Sequence, residues 1–421
     1  MDQLFSKVIN SFKRGFVNRM VGIEIEYPVV STTKETFGQA ASVQKIFPAL
    51  IDSGWEPLED NFYHQVVDVA KNGVSVTTDA SGGILEIILP PLKTLFEADQ
   101  LLKSVLAEIA GCFQKEQAVI LGYGIHPKEE RLQWVSKRRY DFLRKALPPS
   151  LESITISASS QVHLDITAEE FIPAINVFNA FGGVFFSLLS NSPVGASGVL
   201  PNKAHRETFY EAFAPGRSGI FPRPIEGHED YLKLMTDLPM LVAENENKLD
   251  YFLPSGSFKN FTKTRSKEIW LKDYQLHEGV VWWNARPRSA YGTIEIRHAC
   301  AQPHPHQMTV AALSLGIMEN LKIAVSIQKS LDWSVWECFR KAAIKYGINL
   351  LGKDARAREI VAEVLKIAKD GLIKRGFNEE VYIEPLEESF RVERDGATCA
   401  LEAFDRGGHA GLIAQTAWCN K

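Results

Sequence analysis

Four short segments of this chain alternate charged or polar side chains with apolar ones, and this alternation limits the available folds more than any other feature. The segments are GIEIEY (22–27), ILEII (84–88), QVHLD (161–165) and TIEIR (293–297). Successive side chains of a strand point to opposite faces, so each segment predicts a β-strand that holds its charged residues on one face. Such strands are typical of antiparallel sheets, in which one face is covered and the other remains polar.

The charged residues of these strands would share one face of the sheet. Glu86 differs from the others because its strand is apolar on both faces, so we expect a buried carboxylate there. Asp79 precedes that strand, and Gly82–Gly83 supplies a tight turn or bulge between them. Neighbouring strands would then bring together five acids and one imidazole: Glu24, Glu26, Asp79, Glu86, His163 and Glu295.

Each of these residues also has an ordinary structural explanation. A solvated sheet face accounts for Glu24 and Glu26, a basic partner for Glu86, hydrogen bonding for His163, and a lateral pair with an arginine for Glu295. Together, however, they place more negative charge on one face than a protein interior tolerates. Divalent cations would resolve that conflict, and carboxylates with one imidazole suit Mg²⁺ or Mn²⁺ better than Zn²⁺.

Arginines accompany the acids between residues 282 and 303. Arg286 and Arg288 precede a turn at Gly292, and Arg297 ends the strand that follows. Clustered arginines suit the recognition of phosphate or carboxylate groups, and Mg²⁺ held by few protein groups binds substrate phosphates. The sequence therefore indicates ATP. It contains no GxxxxGK[ST], HExxH or GxSxG motif, and GYGIHP lacks the last glycine of a dinucleotide fingerprint, so metals and arginines would handle the nucleotide.

The composition restricts the class of protein. The 421 residues are 45% hydrophobic and carry a net charge of −4, so we expect a globular enzyme acting on small molecules and no nucleic-acid partner. Five cysteines without CxxC pairs, and an N-terminal stretch without a secretory h-region, predict a cytoplasmic location, with a transit peptide as the less favoured alternative. The apolar run 172–190 contains Asn176, Asn179 and a Gly-Gly pair, which predicts a buried helix and no membrane partner. A monomer or homodimer is expected.

The periodicity predicts an α+β chain that forms one domain over residues 1–421, with its motifs within 20–303. Helices are expected at 2–17, 41–53, 95–117, 172–190 and 229–249. Strands are expected at 20–30, within 74–89, and at 118–127, 153–167, 279–285 and 291–299. From residue 305 to 421 the pattern is almost wholly helical.

Five blocks of the sequence occur in a recognisable order. They are GIEIEY, Asp79 followed after six residues by Glu86 with its Pro-Pro, GIHP (124–127), QVHLD, and RPRSAYGTIEIR (286–297). In these blocks the chain resembles the glutamate-cysteine ligase superfamily, in its bacterial carboxylate-amine ligase and plant-like branch, which shares the glutamine synthetase-type fold. The resemblance implies a curved antiparallel β-sheet with a concave active-site face, helices packed behind it, and two or three Mg²⁺ or Mn²⁺ ions with ATP.

The resemblance also implies roles for individual residues. The metal ligands would be Glu24, Glu26, Glu86, His163 and Glu295, with Asp79 in the place of a family carboxylate. Arg297 would neutralise the transferring phosphoryl group with Arg286 close by, and Arg288 and Gln161 would contact the cofactor. Three features depart from the family pattern near the expected substrate end: Asn284 replaces a common Asp, Arg288 replaces a common Ser, and HACAQP (298–303) lacks an acid.

The implied reaction is ATP-dependent amide formation, a step of glutathione biosynthesis. The γ-carboxylate of L-glutamate would attack ATP to give an acyl phosphate, and L-cysteine would displace phosphate to give γ-glutamylcysteine. The departures leave another acid or amine open. A guanidino kinase, which stops at phosphoryl transfer, and a nucleotide-binding protein without turnover are rival hypotheses. The acid set together with Arg297 favours the ligase, because binding alone does not need them all.

Overall fold

The largest element of the structure is a nine-stranded antiparallel sheet. The computed structural model describes residues 1–12, 15–245 and 250–418. The strands are β1 (Val21–Ser31), β2 (Glu56–Glu59), β3 (Val66–Lys71), β4 (Val74–Thr78), β5 (Ile84–Leu92), β6 (Ala118–Ile120), β7 (Ser159–Asp165), β8 (Val194–Gly195), β9 (Gly198–Val199), β10 (Ser218–Gly219), β11 (Ala243–Glu244), β12 (Tyr251–Phe252), β13 (Trp282–Trp283), β14 (Ala285–Arg288) and β15 (Thr293–Cys300). The order across the large sheet is β14-β15-β7-β1-β5-β4-β3-β2, and β6 pairs with the end of β1.

Helices make up most of the remaining structure. They are α1 (Asp2–Asn10), α2 (Phe47–Asp52), α3 (Leu95–Lys115), α4 (Arg138–Ala146), α5 (Phe171–Ala180), α6 (Gly182–Leu189), α7 (His205–Phe213), α8 (His228–Asp237), α9 (Phe258–Phe261), α10 (Trp270–Glu278), α11 (Thr309–Glu319), α12 (Leu321–Lys329), α13 (Trp333–Tyr346), α14 (Ala355–Arg375), α15 (Glu384–Val392) and α16 (Gly396–Thr416). Short 3₁₀ segments occupy Val43–Ile46, Pro149–Ile156, Thr262–Thr264, His306–Met308, Gly347–Leu350 and Glu379–Tyr382.

One face of the sheet packs against helices and forms the main core. Ile25 of β1, Ile87 of β5, Val162 of β7 and Ile294 of β15 are fully buried on this face, and α3, α5, α6 and α11 lie against it. Helices α11 and α14 then approach closely at Gly316, where a Cβ atom would lie 2.1 Å from the Ala368 carbonyl oxygen. The alternation in the four segments thus directs the apolar side chains into this core.

The strand register brings the polar residues of the other face together. Glu26 on β1 is directly opposite Glu86 on β5, and Glu24 is directly opposite Gln161 on β7. His163 is opposite Glu295 on β15. Because β1 lies between β5 and β7, acids that are distant in the sequence become neighbours on one surface.

A second apolar cluster faces this polar surface. It contains Leu143 of α4, Ile154 of the 3₁₀ segment, Tyr210 and Phe213 of α7, and Val280. Leu143, Ile154 and Tyr210 line a cavity together with Glu26 and Glu86, so the cluster covers the acids from the side opposite the core. The second apolar cluster therefore covers the polar face, as the main core covers the opposite face of the sheet.

The α+β class, the antiparallel sheet, strand 20–30, helix 95–117 and the helical region after 305 are confirmed, with ends shifted by a few residues. The expected turn at Gly82–Gly83 joins β4 to β5. Within the described residues no single helix is long and apolar enough to cross a membrane. Two bent pairs, Phe171–Ala180 with Gly182–Leu189 and His306–Glu319 with Leu321–Lys329, reach the necessary length and apolar content together.

Several predicted elements were too long. The first helix ends at Asn10, and Phe12 then packs edge-on against the Phe171 ring; residues 13 and 14 of the prediction lie outside the described residues. The predicted helix 172–190 is two helices that meet at a 49° bend beside Phe181. The helix predicted at 229–249 ends at Asp237, because Pro239 disfavours helical backbone in the preceding residue; residues 246–249 lie outside the described residues.

Other predictions were wrong in kind. In the predicted strand 118–127 only 118–120 pair in the sheet, because Gly122 and Gly124 instead run against the backbone or side chains of Pro303 and Cys300. Residues 149–156, partly predicted as strand, form a 3₁₀ segment that Pro149 starts. The predicted helix 41–53 is a 3₁₀ segment followed by the short α2, whose second residue is Pro48. The predicted strand 279–285 is limited to β13 and the first residue of β14.

Candidate active site

A cavity of about 220 Å³ lies between the polar face of the sheet and helix α4. All but one of the predicted site residues line it: Glu24, Glu26, Asp79, Glu86, Gln161, Arg286, Arg288, Glu295 and Arg297. The exception, His163, lies at its edge, with its Nε2 atom 3.1 Å from Oε1 of Glu24. The sequence therefore identified the residues that the fold gathers into one site.

One side of the cavity consists of the four carboxylates Glu24, Glu26, Asp79 and Glu86, which we call the acid half. Glu26 is held firmly, because its Oε2 accepts hydrogen bonds from the Ser159 amide (2.7 Å) and hydroxyl (2.9 Å), and its Oε1 accepts one from Gln161 Nε2 (2.8 Å). Asp79 accepts a hydrogen bond of 3.2 Å from the Tyr140 hydroxyl. From the described residues, the Glu86 carboxylate receives no hydrogen bond or ion pair.

Burial and neighbouring charges shift the pKa values of three carboxylates in the acid half. Burial, followed by the charge of Asp79, raises the pKa of Glu26 to about 7. Burial and the charges of Asp79, Glu24 and Glu26 raise the pKa of Glu86 well above its ordinary value. Burial also opposes ionisation of Glu24, but the neighbouring His163 outweighs it and lowers the Glu24 pKa. A cation is the group that this half lacks.

The other side consists of Glu295 surrounded by Arg286, Arg288 and Arg297, which we call the arginine half. Arg286 binds both carboxylate oxygens through Nε (2.8 Å) and NH2 (2.9 Å), Arg288 binds Oε2 (2.6 Å), and Arg297 contacts Oε1. Burial opposes ionisation of Glu295, but the three arginines outweigh it and hold its pKa well below the ordinary value. One carboxylate thus faces three guanidinium groups, which leaves this half with excess positive charge.

Gln161 joins the two halves. Its Nε2 donates to Glu26, and its Oε1 accepts from Arg297. A glutamine can do both because its amide carries a donor and an acceptor. Its predicted contact with the cofactor stays a prediction.

The donor set of the acid half fits a divalent cation. Closely spaced carboxylates in a polar cavity are hard oxygen ligands, and the raised pKa values of Glu26 and Glu86 indicate that these two lack a counter-charge. No group of three or more His, Cys, Asp or Glu side chains in the described part of the chain already has the geometry of a metal site. Glu295 differs from the other predicted ligands, since arginines engage both of its oxygens. A metal ion would have to displace an arginine there.

The sequence did not single out the residues that close the cavity from the other side. They are Arg139, Tyr140 and Leu143 of α4, Ile154, Tyr210, Gly279 and Trp282. Arg139 donates one hydrogen bond, from NH2 to the Gly279 carbonyl oxygen (3.2 Å), and its buried Nε has no acceptor. No acidic side chain among the described residues pairs with it. The adjacent basic and aromatic residues in SKRRYDF (136–142) were the available signal.

The three departures from the family pattern lie in different places. Arg288 belongs to the arginine half, as expected. Asn284 instead forms hydrogen bonds with Glu207 and Arg340, neither of which lines the cavity. His298, in HACAQP, stacks on the Phe185 ring with their centres 4.5 Å apart. The side chains of Asn284 and His298 thus lie outside the cavity lining, and the effect of these departures on the substrate stays a prediction.

A family model and curated relatives match this chain over most of its length. The model of glutamate-cysteine ligase family 2 (GCS2) matches residues 20–417. The chloroplastic glutamate–cysteine ligase of Medicago truncatula is 25% identical over 359 residues, covering 79% of this chain and 68% of the relative. The Arabidopsis thaliana enzyme of the same name is 23% identical over 373 residues, covering 83% and 69%.

A solved structure shows the same fold. The glutamate–cysteine ligase of Francisella tularensis in complex with AMP aligns with a TM-score of 0.58 at 11% identity, covering 96% of this chain and 88% of that one. The family match contains every residue of the acid and arginine halves. This chain therefore belongs to glutamate-cysteine ligase family 2.

Proposed function

We propose that this protein is an ATP-dependent ligase that joins the γ-carboxylate of L-glutamate to the amino group of L-cysteine. The products are γ-glutamylcysteine, ADP and phosphate. The family match and the names of the plant relatives support this activity, and the AMP complex of a structural relative supports an adenine nucleotide. The observation that carries the proposal is the division of one cavity into an acid half and an arginine half.

The acid half would hold two or three Mg²⁺ or Mn²⁺ ions through Glu24, Glu26, Asp79 and Glu86, with His163 at its edge. When bound, these ions neutralise phosphate charge and orient the reacting groups. The Ser159 and Gln161 hydrogen bonds fix the Glu26 carboxylate before any ion arrives. Glu295 would act first as the anchor of three arginines, and as a metal ligand only if one of them moves to the nucleotide.

The arginine half would act on the phosphoryl group. In the first step a γ-carboxylate oxygen of glutamate attacks the γ-phosphorus of ATP, the bond to the β-phosphate oxygen breaks, and ADP leaves. Two anions approach each other, so positive charge must meet the equatorial phosphoryl oxygens. Arg297 and Arg286 would take this role, and their ion pairs with Glu295 keep the two guanidinium groups together. Arg288 would contact the nucleotide phosphates beside them.

The second step forms the amide. The amine nitrogen attacks the acyl carbon, loses its proton, and phosphate leaves with the electron pair of the carbon–oxygen bond. Water must be excluded, because it would hydrolyse the acyl phosphate. Leu143, Ile154 and Tyr210 cover the cavity on the side away from the sheet and would serve this purpose.

Arg139 would bind the α-carboxylate of the amino-acid substrate. The arginines of the arginine half are engaged by Glu295, whereas Arg139 has no acidic partner among the described residues and one hydrogen bond to a carbonyl. A guanidinium group binds a carboxylate through two parallel hydrogen bonds. An anionic substrate group would therefore supply the partner that the side chain lacks.

The test is an assay of the whole protein with ATP, Mg²⁺, L-glutamate and a panel of amines, in which phosphate release and product mass are followed together. We expect release that depends on cysteine, together with the mass of γ-glutamylcysteine. Release only with another amine or another acid would refute the substrate assignment and leave the ligase chemistry in place. ADP without an amide product would identify a kinase, and no release with any amine would refute the ligase.

A further inference from the structure

Arg340 of α13 is a buried arginine in the helical region where the sequence shows no family motif. It is 1% exposed, and all three of its guanidinium nitrogens have partners. Nε donates to Asn284 Oδ1 (2.6 Å), NH2 to Glu207 Oε1 (2.5 Å) and NH1 to Glu211 Oε1 (2.5 Å). A planar guanidinium is suited to hold several acceptors in a fixed geometry, which a lysine cannot do.

The surrounding backbone leaves space for this side chain. Gly219 has a φ of +72°, and a Cβ atom there would lie 3.1 Å from NH2 of Arg340. The Gly219 carbonyl oxygen also accepts the Asn284 amide hydrogen (2.8 Å). Arg340 and the backbone of Gly219 therefore hold Asn284 by its side chain and its main chain at once.

Asn284 connects this cluster to the active site. Its side-chain Nδ2 donates to Glu207 Oε1 (2.6 Å) while its Oδ1 accepts from Arg340. An aspartate could accept from Arg340 but could not donate to Glu207, so the amide fits this position. The main-chain carbonyl oxygen of Asn284 accepts a hydrogen bond from the main-chain N–H of Arg297 (2.9 Å).

The main-chain carbonyl group of Arg297 accepts a hydrogen bond from α7. Arg206, which precedes Glu207 in α7, donates from NH1 to the Arg297 carbonyl oxygen (3.4 Å) and from Nε to Ser157 Oγ (3.0 Å). The register between β15 and β7 is irregular between Ile296 and Ala299, so pairing with β7 does not fix Arg297 there. The main-chain carbonyl group of Asn284 and the Arg206 side chain replace the missing contacts with β7.

We propose that Arg340 is a positioning residue for Arg297, and that the helical region after residue 305 contributes to phosphoryl transfer through it. Arg340 touches no part of the cavity; it acts through Asn284 and Glu207. The inference deepens the proposed function, since it assigns Arg297 to the transferring phosphoryl group. It also makes a structural claim that holds whether or not the substrates are those proposed.

The experiment compares Arg340→Met and Arg340→Lys with Lys341→Met in the full chain. Lys341 is the neighbouring residue on α13, and its exposed ion pair with Glu337 makes it a matched control. Hydrogen–deuterium exchange of residues 284–298 should become faster in Arg340→Met and stay unchanged in Lys341→Met. In the ligase assay, kcat of Arg340→Met should fall at least tenfold with little change in KM for glutamate. Arg340→Lys should fall by less, because it keeps the charge.

A second measurement separates positioning from general loss of structure. Arg340→Met combined with Arg297→Lys should lose little more kcat than Arg297→Lys alone, because both changes impair the same contact. If Arg340→Met does not fold, the same comparison is made with Arg340→Lys. Unchanged exchange at 284–298, or losses that multiply in the double variant, would overturn the inference. Absence of turnover in the wild type would refute the proposed function instead, and the exchange measurement would still decide the link between Arg340 and Arg297.

Discussion

The acid half and the arginine half lie side by side in one cavity, yet they solve opposite electrostatic problems. In the acid half, Glu86 faces Glu26 across the strand pair, and both pKa values are raised. In the arginine half, three arginines surround the single acid Glu295, whose pKa is held well below its ordinary value. The first half lacks positive charge, and the second has positive charge to spare.

This difference shows what each half is built to receive. Like charges directly opposite on neighbouring strands destabilise a sheet, so we expect the acid half to attract cations. The arginine half is already stable and offers its remaining donors to anions. A cation site beside an anion site is the arrangement that phosphoryl transfer from a metal-bound nucleotide requires.

Removal of divalent cations should have the largest effect on activity. Excess EDTA should abolish ATP-dependent phosphate release, and added Mg²⁺ or Mn²⁺ should restore it, because the acids would otherwise repel the phosphates. The measurement is phosphate release before and after chelation and re-addition of metal. Full activity in excess chelator would contradict the metal role of the acid half.

Substitution of one acid in each half tests whether the two halves differ in their charge balance. Glu86→Gln and Glu295→Gln should each lower turnover by roughly 100-fold or more. Their effects on the metal-free protein should have opposite signs. Glu86→Gln should raise the free energy of unfolding by about 1 kcal/mol, because it removes a like-charge pair. Glu295→Gln should lower it by about 3 kcal/mol, because it leaves the buried Arg286 and the partly buried Arg288 and Arg297 without their acid.

Chemical denaturation without metal measures both free energies of unfolding. The exposed Glu97→Gln change, in the first turn of α3 and far along the chain from either half, tests the general effect of the substitution but also weakens a helix cap, so only a small loss is expected. Equal destabilisation by Glu86→Gln and Glu295→Gln would show that the two halves do not differ as described.

Arg297→Lys tests whether the arginine half acts by shape as well as by charge. We expect kcat to fall by roughly 100-fold with a smaller change in KM, because an ammonium group cannot reproduce two parallel hydrogen bonds to a phosphoryl group. Steady-state kinetics with ATP and glutamate varied in turn provide the measurement. A kcat close to that of the wild type would remove Arg297 from the phosphoryl site.

Arg139 lines the side of the cavity that α4 forms, and its substitution tests substrate binding there. Arg139→Met should raise KM for glutamate by roughly tenfold, since it removes a charge-assisted contact with the substrate carboxylate, while KM for ATP changes little. Arg144→Met, on the same helix but half exposed and paired with Glu152, is the matched control. A rise in KM for ATP alone would assign Arg139 to the nucleotide.

The smallest effect is a pH dependence of the acid half. Because the folded pKa of Glu26 is raised to about 7, the metal-free folded state keeps a proton that the unfolded chain loses at its lower, ordinary pKa. This contribution to stability is fully present below the ordinary pKa and is lost as pH rises through about 7. Metal must displace that proton, so Mg²⁺ should bind about tenfold more weakly at pH 6 than at pH 8. Calorimetric titration should show the trend, and Glu26→Gln should remove it.

The sequence predicted the parts of the site that local periodicity controls. The alternation in the four segments assigned Glu24, Glu26, Glu86 and Glu295 to one face, and the strand register confirms that they share it. It missed β3, although Asn72–Gly73 is a strong hairpin signal; both residues have positive φ and join Lys71 to Val74. The local signal for this hairpin is therefore present in the sequence.

Other features depend on contacts between distant residues and have no local signal. Arg139 reaches the cavity only because α4 packs across the sheet, and Asn284 is specified by Glu207 and Arg340, which lie 77 and 56 residues away. The sequence indicated that three arginines lie near Glu295, but it did not indicate that all three form ion pairs with it. Such features follow from tertiary packing, which no periodicity describes.

The most direct test of the division into two halves is to locate cations and phosphates in a crystal of the protein with Mn²⁺ and a non-hydrolysable ATP analogue. Anomalous diffraction identifies Mn²⁺ without assumptions about its ligands. We expect anomalous peaks beside the carboxylates of Glu26 and Glu86, with the terminal phosphate in contact with Arg297. Peaks away from the acid half, or a terminal phosphate away from the arginine half, would contradict it.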